Sequence, residues 1–466
     1  MATRCSPTSW RDKLHACLQQ WGSPRTKLKS KMAPTTLVSL VLLCLSNVLI
    51  TCSGGGAGIR MKLTHVDAKG SYTAEERVRR AVAASRQRLA SMRASGGGGG
   101  VSAPVHWSTR QYIAEYLVGD PPQRAEALID TGSDLIWTQS TACLRKVCAR
   151  QDLPYFNASA SGSFAPVPCR DRACAANYRH FCALDGGCTF VATYGAGAVI
   201  GFLGTDNFAF QSGGAALAFG CVSFTRVVPG ALHGASGLIG LGRGRLSLVS
   251  QTGATRFSYC LTPYFHNNGA SSHLFVGAAA SLGGGGGAVT SMPFVESPKD
   301  YPYSTFYYLP LEGITVGGTK LPIPSSAFDL RQVDKGYWEG GVIIDSGSPF
   351  TSLAKAAYVP LRDELAGQLN GSLVGPPADS DLELCVARGD VDRVVPTLVL
   401  HFGGGADMAL PPGNYWAPVD KTTACMVILE AYELSIIGNF QQQNMHLLFD
   451  VGEGRFSFQT ADCSTL

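Results

Sequence analysis

The sequence lacks several patterns that would each assign it to a class of protein. Charged residues make up only 15% of 466, and the 55 glycines follow no Gly-X-Y period, which excludes a charge-rich disordered chain and a collagen. There is no Cys-x-x-Cys pair, no His-Glu-x-x-His and no Gly-x-Ser-x-Gly, so the common zinc and serine-nucleophile signatures are missing. With 45% hydrophobic residues, the chain can nevertheless bury a large core.

The excess of basic residues is confined to the start of the chain. Residues 1–100 carry 16 Lys and Arg against 4 Asp and Glu, a balance of +12, whereas residues 101–466 have a balance of −8. A protein whose folded body is acidic has no electrostatic footprint for nucleic acid. We therefore expect no nucleic-acid partner.

An apolar stretch from Leu37 to Ile50 follows three lysines and precedes small residues, which is the layout of a secretory signal. We assign residues 32–58 to a signal peptide. Residues 1–31 are either an extension upstream of the physiological start at Met32 or a second targeting element. No later apolar run reaches about 18 residues, so we expect no stable membrane insertion of the mature chain. We expect secretion to the extracellular space or cell wall, with the vacuole or a plastid as alternatives.

Residues 59–100 have the pattern of a basic helix followed by a glycine linker. Thr73 and Glu76 form a capping box, and no Gly or Pro interrupts the chain until about Arg93. Arginines surround one apolar face, and Gly96 to Gly100 end the segment. A solvated or membrane-surface helix is one interpretation. The position between a signal and an acidic body favours the other, a propeptide that covers an acidic cleft by charge complementarity.

Cysteine usage agrees with export. Eleven cysteines follow the signal, and disulfides are favoured over a zinc site because no ligand spacing fits zinc. The odd number predicts at least one free thiol, and the pairing stays open. The candidates are Cys143, Cys148, Cys169, Cys174, Cys182, Cys188, Cys221, Cys260, Cys385, Cys425 and Cys463. Two sequons, at Asn157 and Asn370, offer glycosylation sites in an exported chain.

The body shows an internal repeat. Ala-Leu-Ile-Asp130-Thr-Gly-Ser133 recurs 215 residues later as Val-Ile-Ile-Asp345-Ser-Gly-Ser348, and each copy is followed about a hundred residues on by an apolar segment with glycine. Short β-branched and aromatic runs, including 112–118, 190–194, 306–311 and 445–449, predict strands elsewhere. Only 354–369 reads as a body helix of any length. The repeat predicts two lobes of similar plan.

Each residue of the repeated motif can be given a chemical role. Asp130 and Asp345 end buried strands, and Gly132 and Gly347 allow backbone N–H groups to approach their carboxylates. Thr131 and Ser346 can lock one loop to the other, while Ser133 and Ser348 can bond the outer carboxylate oxygens. If the loops meet, the two carboxyls share one proton, so one can activate water as the other polarises a carbonyl.

With these motifs the sequence resembles the pepsin-like aspartic proteases, specifically the plant nepenthesin-type branch. The resemblance covers the chain from Leu63 onward, including Tyr116 to Gln123, Asp130 to Trp137 and Ile436 to Asn444, and the cysteine-rich stretch 143–188 lies where this branch has an insertion. It implies an all-β, bilobal pepsin-like fold with a central cleft, cleavage of polypeptide substrates at acidic pH, and no metal or other cofactor. We divide the body into an N-terminal lobe, 101–290, and a C-terminal lobe, 291–466, and expect a monomer.

The resemblance also implies a flap hairpin at Tyr194 and Gly195, with the tyrosine phenol hydrogen-bonded to Trp137. Some positions depart from the branch's pattern. Ala196 and Ala198 replace an acidic and a hydroxyl residue at the flap tip, Asp120 replaces a threonine, and Ser140 replaces a cysteine, which accounts for the odd thiol count. Plant xylanase inhibitors resemble the same scaffold without a working dyad, so a pepsin-fold binding protein is the rival function. The retained carboxylates and hydroxyls favour the enzyme.

Overall fold

A computed structural model describes residues 58–70, 72–94, 112–143, 147–177, 179–194, 197–227, 231–265, 271–283, 286–377 and 380–466. The expected N-terminal extension, almost all of the signal peptide and the glycine linker lie outside these residues. Within the described ranges, every helix is too short or too polar to traverse a lipid bilayer.

The strands are mostly short and extend along the whole described chain. In the first part they are β1 Ile59–His65, β2 Tyr112–Val118, β3 Gln123–Asp130, β4 Trp137–Gln139, β5 Ala165–Pro166, β6 His180–Cys182, β7 Cys188–Tyr194, β8 Gly197–Ala209, β9 Gly214–Val227, β10 Gly237–Gly240, β11 Arg256–Cys260, β12 Ser272–Val276 and β13 Thr290–Pro293. In the second they are β14 Leu311–Val316, β15 Thr319–Lys320, β16 Leu330–Asp334, β17 Tyr337–Gly340, β18 Val342–Ile344, β19 Ser352–Ala354, β20 Leu373–Val374, β21 Cys385–Ala387, β22 Leu398–Phe402, β23 Ala406–Leu410, β24 Trp416–Pro418, β25 Thr423–Met426, β26 Leu429–Ala431, β27 Ser435–Ile437, β28 Met445–Asp450 and β29 Arg455–Thr460.

Among the described residues the helices are few, and two of them are long. They are α1 Ala74–Ala94, α2 Arg172–Ala175, α3 Leu248–Gln251, α4 Lys355–Gln368 and α5 Val391–Val394. The sequence pattern placed both long helices to within one residue. Helix α1 begins at the predicted capping box: Glu76 N–H donates to Thr73 Oγ1 (3.2 Å) and Thr73 N–H to Glu76 Oε2 (2.8 Å).

One large sheet contains strands from both ends of the chain. Its order is β13-β29-β28-β11-β12-β1-β2-β3-β10-β4-β9-β8-β7-β6, with β5 beside β8. The antiparallel β11–β28 pair joins the two parts of the chain, and Phe257 stacks on Phe449 across it at 4.5 Å between ring centroids. Strand β1, from the predicted propeptide, lies between β12 and β2 and is paired along both of its edges.

The sequence repeat is also a repeat of strand pairing. Strand β3 pairs in parallel with β10, so that Asp130 lies beside Gly240, and β18 pairs in parallel with β27, so that Ile344 lies beside Ile437. Every residue of β18 and β27 is buried, as is typical of parallel strands covered on both faces. Each of the two repeated loops therefore starts at the end of a buried strand. This confirms the predicted all-β fold with two similar lobes.

Five disulfides connect ten of the eleven cysteines downstream of residue 58. The pairs are Cys143–Cys148, Cys169–Cys182, Cys174–Cys188, Cys260–Cys463 and Cys385–Cys425. Cys221 is the buried free thiol that the odd count predicts. Its strand runs beside Ser140, the residue found where a cysteine was expected, and Ser140 Oγ donates to Val222 O (3.0 Å).

One strand prediction is wrong. The run 306–311 is not a strand, because the 3-10 turn Tyr303–Thr305 precedes it and Pro310, which has no N–H, interrupts the ladder before β14 begins at Leu311. Only Tyr308 forms isolated bridges, to Val295 and Ile343. The segment's aromatic side chains are buried instead beside the second repeated loop.

Candidate active site

The two Asp-hydroxyl-Gly-Ser loops meet and bond each other reciprocally. Thr131 N–H donates to Ser346 Oγ (3.1 Å), and Ser346 N–H donates to Thr131 Oγ1 (2.9 Å). Each hydroxyl in turn donates to a carbonyl of the opposite strand, Thr131 to Ile344 O (3.4 Å) and Ser346 to Ile129 O (3.3 Å). All these groups are buried, so the crossed bonds fix the position of one loop against the other.

Each carboxylate is held by its own loop in the same way. Ser133 Oγ donates to Asp130 Oδ2 (2.6 Å) and Gly132 N–H to Asp130 Oδ1 (3.1 Å). In the second loop Ser348 Oγ donates to Asp345 Oδ2 (2.7 Å) and Gly347 N–H to Asp345 Oδ1 (2.8 Å).

The glycines of both loops make this approach possible. A Cβ on Gly347 would lie 2.2 Å from Asp130 Oδ1, and a Cβ on Gly132 would lie 3.1 Å from Asp345 Oδ1. Each loop's glycine therefore faces the carboxylate of the other loop. A side chain on Gly347 would displace the Asp130 carboxylate, and a side chain on Gly132 would first meet Arg88 Nη2, at 2.1 Å.

Arg88 of helix α1 binds both carboxylates. Its Nη2 donates to Asp130 Oδ1 (2.7 Å) and its Nε donates to Asp345 Oδ2 (2.9 Å). The side chains of Arg88, Asp130 and Asp345 are 11%, 2% and 0% exposed, so this ion pair is largely out of water. A side chain of the predicted propeptide thus covers the two aspartates.

Helix α1 reaches this position because its inward face is small. Ala81, Ala84 and Ser85 are buried, and Ser85 Oγ accepts the Phe350 N–H (2.8 Å) just after the second loop. Arg88 lies four residues after Ala84, on the same face of the helix. The helix can therefore pack closely enough for the guanidinium to reach between the carboxylates.

The electrostatics of the three groups are strongly interdependent. Burial raises the pKa of Asp130; Arg88 acts in the opposite direction, and Asp345 adds to the rise. Burial alone would lower the pKa of Arg88, but Asp130 and Asp345 raise it above its ordinary value. The guanidinium stays charged, and Asp130 retains a proton more readily than an isolated aspartate.

The flap residues are only partly described. Tyr194 ends β7, and its ring lies 6.1 Å from that of Trp137, whereas Gly195 and Ala196 fall outside the described residues. Burial raises the pKa of Tyr194, and Tyr301 and Asp130 contribute. A side-chain interaction with Trp137 acts on that pKa in the opposite direction, so the phenol and the indole interact with helix α1 in place.

The sequence analysis missed Asp134, which follows Ser133. Its Oδ1 accepts the Gly244 N–H (2.7 Å) and its Oδ2 accepts the Thr305 hydroxyl (2.8 Å), which links the first loop to the turn that precedes the buried aromatic segment. Burial raises the pKa of Asp134. The sequence did contain a signal: the two repeats differ at this position, where the second has Pro349 in place of an aspartate.

The two sequons differ in accessibility. Asn370 is exposed just after helix α4. Asn157 is half-buried, and its Oδ1 accepts the Ser159 N–H (3.2 Å).

Known proteins are similar in sequence to this chain over most of its length. The family model described as "Xylanase inhibitor N-terminal" matches residues 112–278, and "Xylanase inhibitor C-terminal" matches 306–460. Aspartic proteinase nepenthesin-1 of Nepenthes gracilis is 36% identical over 411 residues, 87% of this chain and 90% of its own length. Aspartic proteinase nepenthesin-2 of the same plant is 35% identical, with the same coverage.

A solved structure supports the fold independently. The crystal structure of edgp superposes with a TM-score of 0.65 over 89% of this chain and 97% of its own, at 15% identity. That likeness concerns the fold alone, whereas the nepenthesins are 35 to 36% identical to this chain over 87% of its length. The chain therefore belongs to the nepenthesin-type family of pepsin-like aspartic endopeptidases.

Proposed function

We propose that this chain is the zymogen of an acid-acting endopeptidase, in which residues 59–100 are the propeptide and Asp130 and Asp345 are the catalytic pair. The observation that carries the proposal is Arg88, which bridges the two carboxylates across the contact between the loops. A family member folded in this way holds its own catalytic groups in an ion pair that no substrate can share.

The proposed reaction needs only these two carboxyl groups and water. Once α1 has left, the ionised carboxylate takes a proton from water, whose oxygen attacks the scissile carbonyl carbon, while the protonated carboxyl gives its proton to the carbonyl oxygen. The resulting tetrahedral intermediate collapses as a proton passes to the amide nitrogen and the C–N bond breaks. Ser133 and Ser348 keep the carboxyls oriented throughout.

The test is acidification of the purified full chain. We expect loss of the propeptide and cleavage of denatured protein between about pH 3 and 5, the range expected for carboxyl groups that share a proton. Pepstatin is the control for dyad chemistry. A correctly processed protein that cleaves nothing at any pH would contradict the proposal and favour the binding protein, which the inhibitor-type family models and the flap alanines support.

We propose that protonation of His233, in the body of the protein, triggers release of the propeptide in acid. Arg80 Nη2 of helix α1 donates to His233 Nδ1 (2.8 Å), and Asp67 lies 3.7 Å from Arg80 Nε. A guanidinium has only donors, so Nδ1 must accept, which a protonated imidazole cannot do. Burial, and then Arg80, lower the pKa of His233 to about 3. The propeptide-bound state therefore excludes a proton that the open state would bind.

The sign of this effect favours release in acid. Because the closed-state pKa lies below the ordinary value of about 6.5, the stability of the closed state is complete above that pH and is lost as the pH falls towards 3, by up to about 1.4 kcal/mol per unit. Besides Arg80 and Asp67, the Asp152 carboxylate lies near, beside Gly234.

The variant His233→Asn tests this trigger. Its amide oxygen can accept from Arg80 at every pH, and asparagine tolerates the backbone φ of 50° at this position. We expect the midpoint of propeptide release to move about 0.5 to 1 unit towards lower pH. His180→Asn, exposed in the cysteine-rich insertion, is the matched control. An unchanged midpoint in His233→Asn would exclude this histidine as a trigger.

A further inference from the structure

A cavity of about 340 Å³ lies at the edge of helix α1. Leu89 of α1 lines it, directly after the arginine that binds both carboxylates, and Leu89 also packs on the buried cluster of Phe306, Tyr308, Ile343 and Ile436. Ile343 lies two residues before Asp345. The cavity and its supporting cluster are therefore joined to the aspartates by two short chain segments, Arg88 to Leu89 and Ile343 to Asp345.

The walls of the cavity are aromatic. Tyr303, Phe306, Tyr308, Tyr337 and Trp338 line it. Tyr303 meets Tyr337 edge to face at 6.4 Å, and Phe306 meets Tyr308 at 6.2 Å. Trp338 Nε1 donates to Asp300 Oδ2 (3.1 Å), which fixes the orientation of the indole. The volume falls within the range of about 300 to 1,000 Å³ that is typical of ligand pockets.

Once the propeptide is gone, the charged side chains that line the cavity are all carboxylates. The body contributes three carboxylates, Glu339, Glu430 and Glu433, and the cation that lines the cavity, Arg86, belongs to helix α1 and bonds Asp381. The neighbouring cations neutralise the charge of these three carboxylates only in part. Arg331 is shared between Glu339 and Glu433, and Lys355 Nζ is 3.9 Å from Glu430.

Aromatic walls with a carboxylate rim match one kind of side chain. An aliphatic stem packs on the rings, and a cationic head gains from the ring faces and from the carboxylates. We propose that this cavity is a substrate subsite selective for lysine or arginine, which Arg86 and Leu89 cover in the zymogen. The inference rests on the proposed function and adds a preference for basic side chains close to the scissile bond.

The test compares peptides that differ only in charge. Mature enzyme is given peptide pairs with lysine or norleucine at each of several positions around the scissile bond, at the highest pH at which it still turns over, because carboxylates lose charge in stronger acid. We expect one position at which lysine raises kcat/KM about ten-fold over norleucine. The double variant Glu430→Gln/Glu433→Gln is expected to remove most of that ratio.

The controls separate this inference from the proposed function. Glu453 is exposed and distant in sequence from Glu430 and Glu433, so the variant Glu453→Gln is expected to keep the lysine preference. Equal or better cleavage of norleucine at every position would show a plain apolar subsite and overturn the inference, and so would a lysine preference that survives the double variant. In either case the enzyme would still be active, whereas failure of the proposed function would leave every peptide uncut.

Discussion

The variant Asp130→Asn is expected to lose at least about 10³-fold in kcat on denatured protein, the upper part of the range for removal of one general acid–base group. An amide can neither hold the shared proton nor accept one from water. The side chain keeps its size, and Arg88 keeps Asp345 as a partner, so the precursor is expected to fold.

The measurement uses precursor processed by a trace of wild-type enzyme, followed by removal of that enzyme and an assay at the wild-type pH optimum. Asp392→Asn, exposed on helix α5, is the matched control and is expected to retain full activity. Thermal unfolding of both variants checks the fold. Activity of folded Asp130→Asn equal to that of wild type would rule out the proposed dyad.

Replacement of Arg88 with glutamine is expected to open the zymogen prematurely. Loss of one partner from a buried ion pair costs about 3 to 5 kcal/mol, which corresponds to roughly 10²- to 10⁴-fold more of the open state. We expect propeptide release to begin at least about one pH unit higher than in wild type, and a labelled pepstatin to bind at a pH where the wild-type precursor excludes it.

Two further variants make the result specific. Arg79→Gln removes an exposed arginine from the same helix and is expected to behave as wild type. Arg88→Lys keeps the charge but not the two-pronged geometry, so it is expected to lie between wild type and glutamine. If Arg88→Gln releases its propeptide at the wild-type pH, the ion pair does not hold the precursor closed.

The backbone of the site was predictable from the sequence because its determinants are local. The repeated apolar run that ends in aspartate predicted where each strand and loop would lie, and the Thr73 capping box fixed the start of helix α1. Turn and capping residues act over a few positions along the chain, so the local structure that they favour can be predicted without knowledge of distant contacts.

The contacts made across the cleft were not predictable in the same way. A propeptide over an acidic cleft was expected from charge, but the choice of Arg88 among the helix arginines depends on the depth to which Ala81, Ala84 and Ser85 allow the helix to pack. The disulfide partners were left open for the same reason, since Cys169 bonds Cys182 rather than the nearer Cys174. The segment 306–311 is a different case, because the turn before it and Pro310 within it are local features that prevent a strand.

The place of β1 in the large sheet affects how such a protein can be made. Its main chain is bonded on one side to β2 and on the other to β12, so excision leaves a slot in the middle of a sheet rather than a trimmed edge. If residues 59–100 are removed as proposed, the processed chain lacks the strand that fills this slot, so we expect the precursor to fold more readily than the processed chain. Expression from residue 59 onward, with maturation afterwards, follows as the rational route to active material.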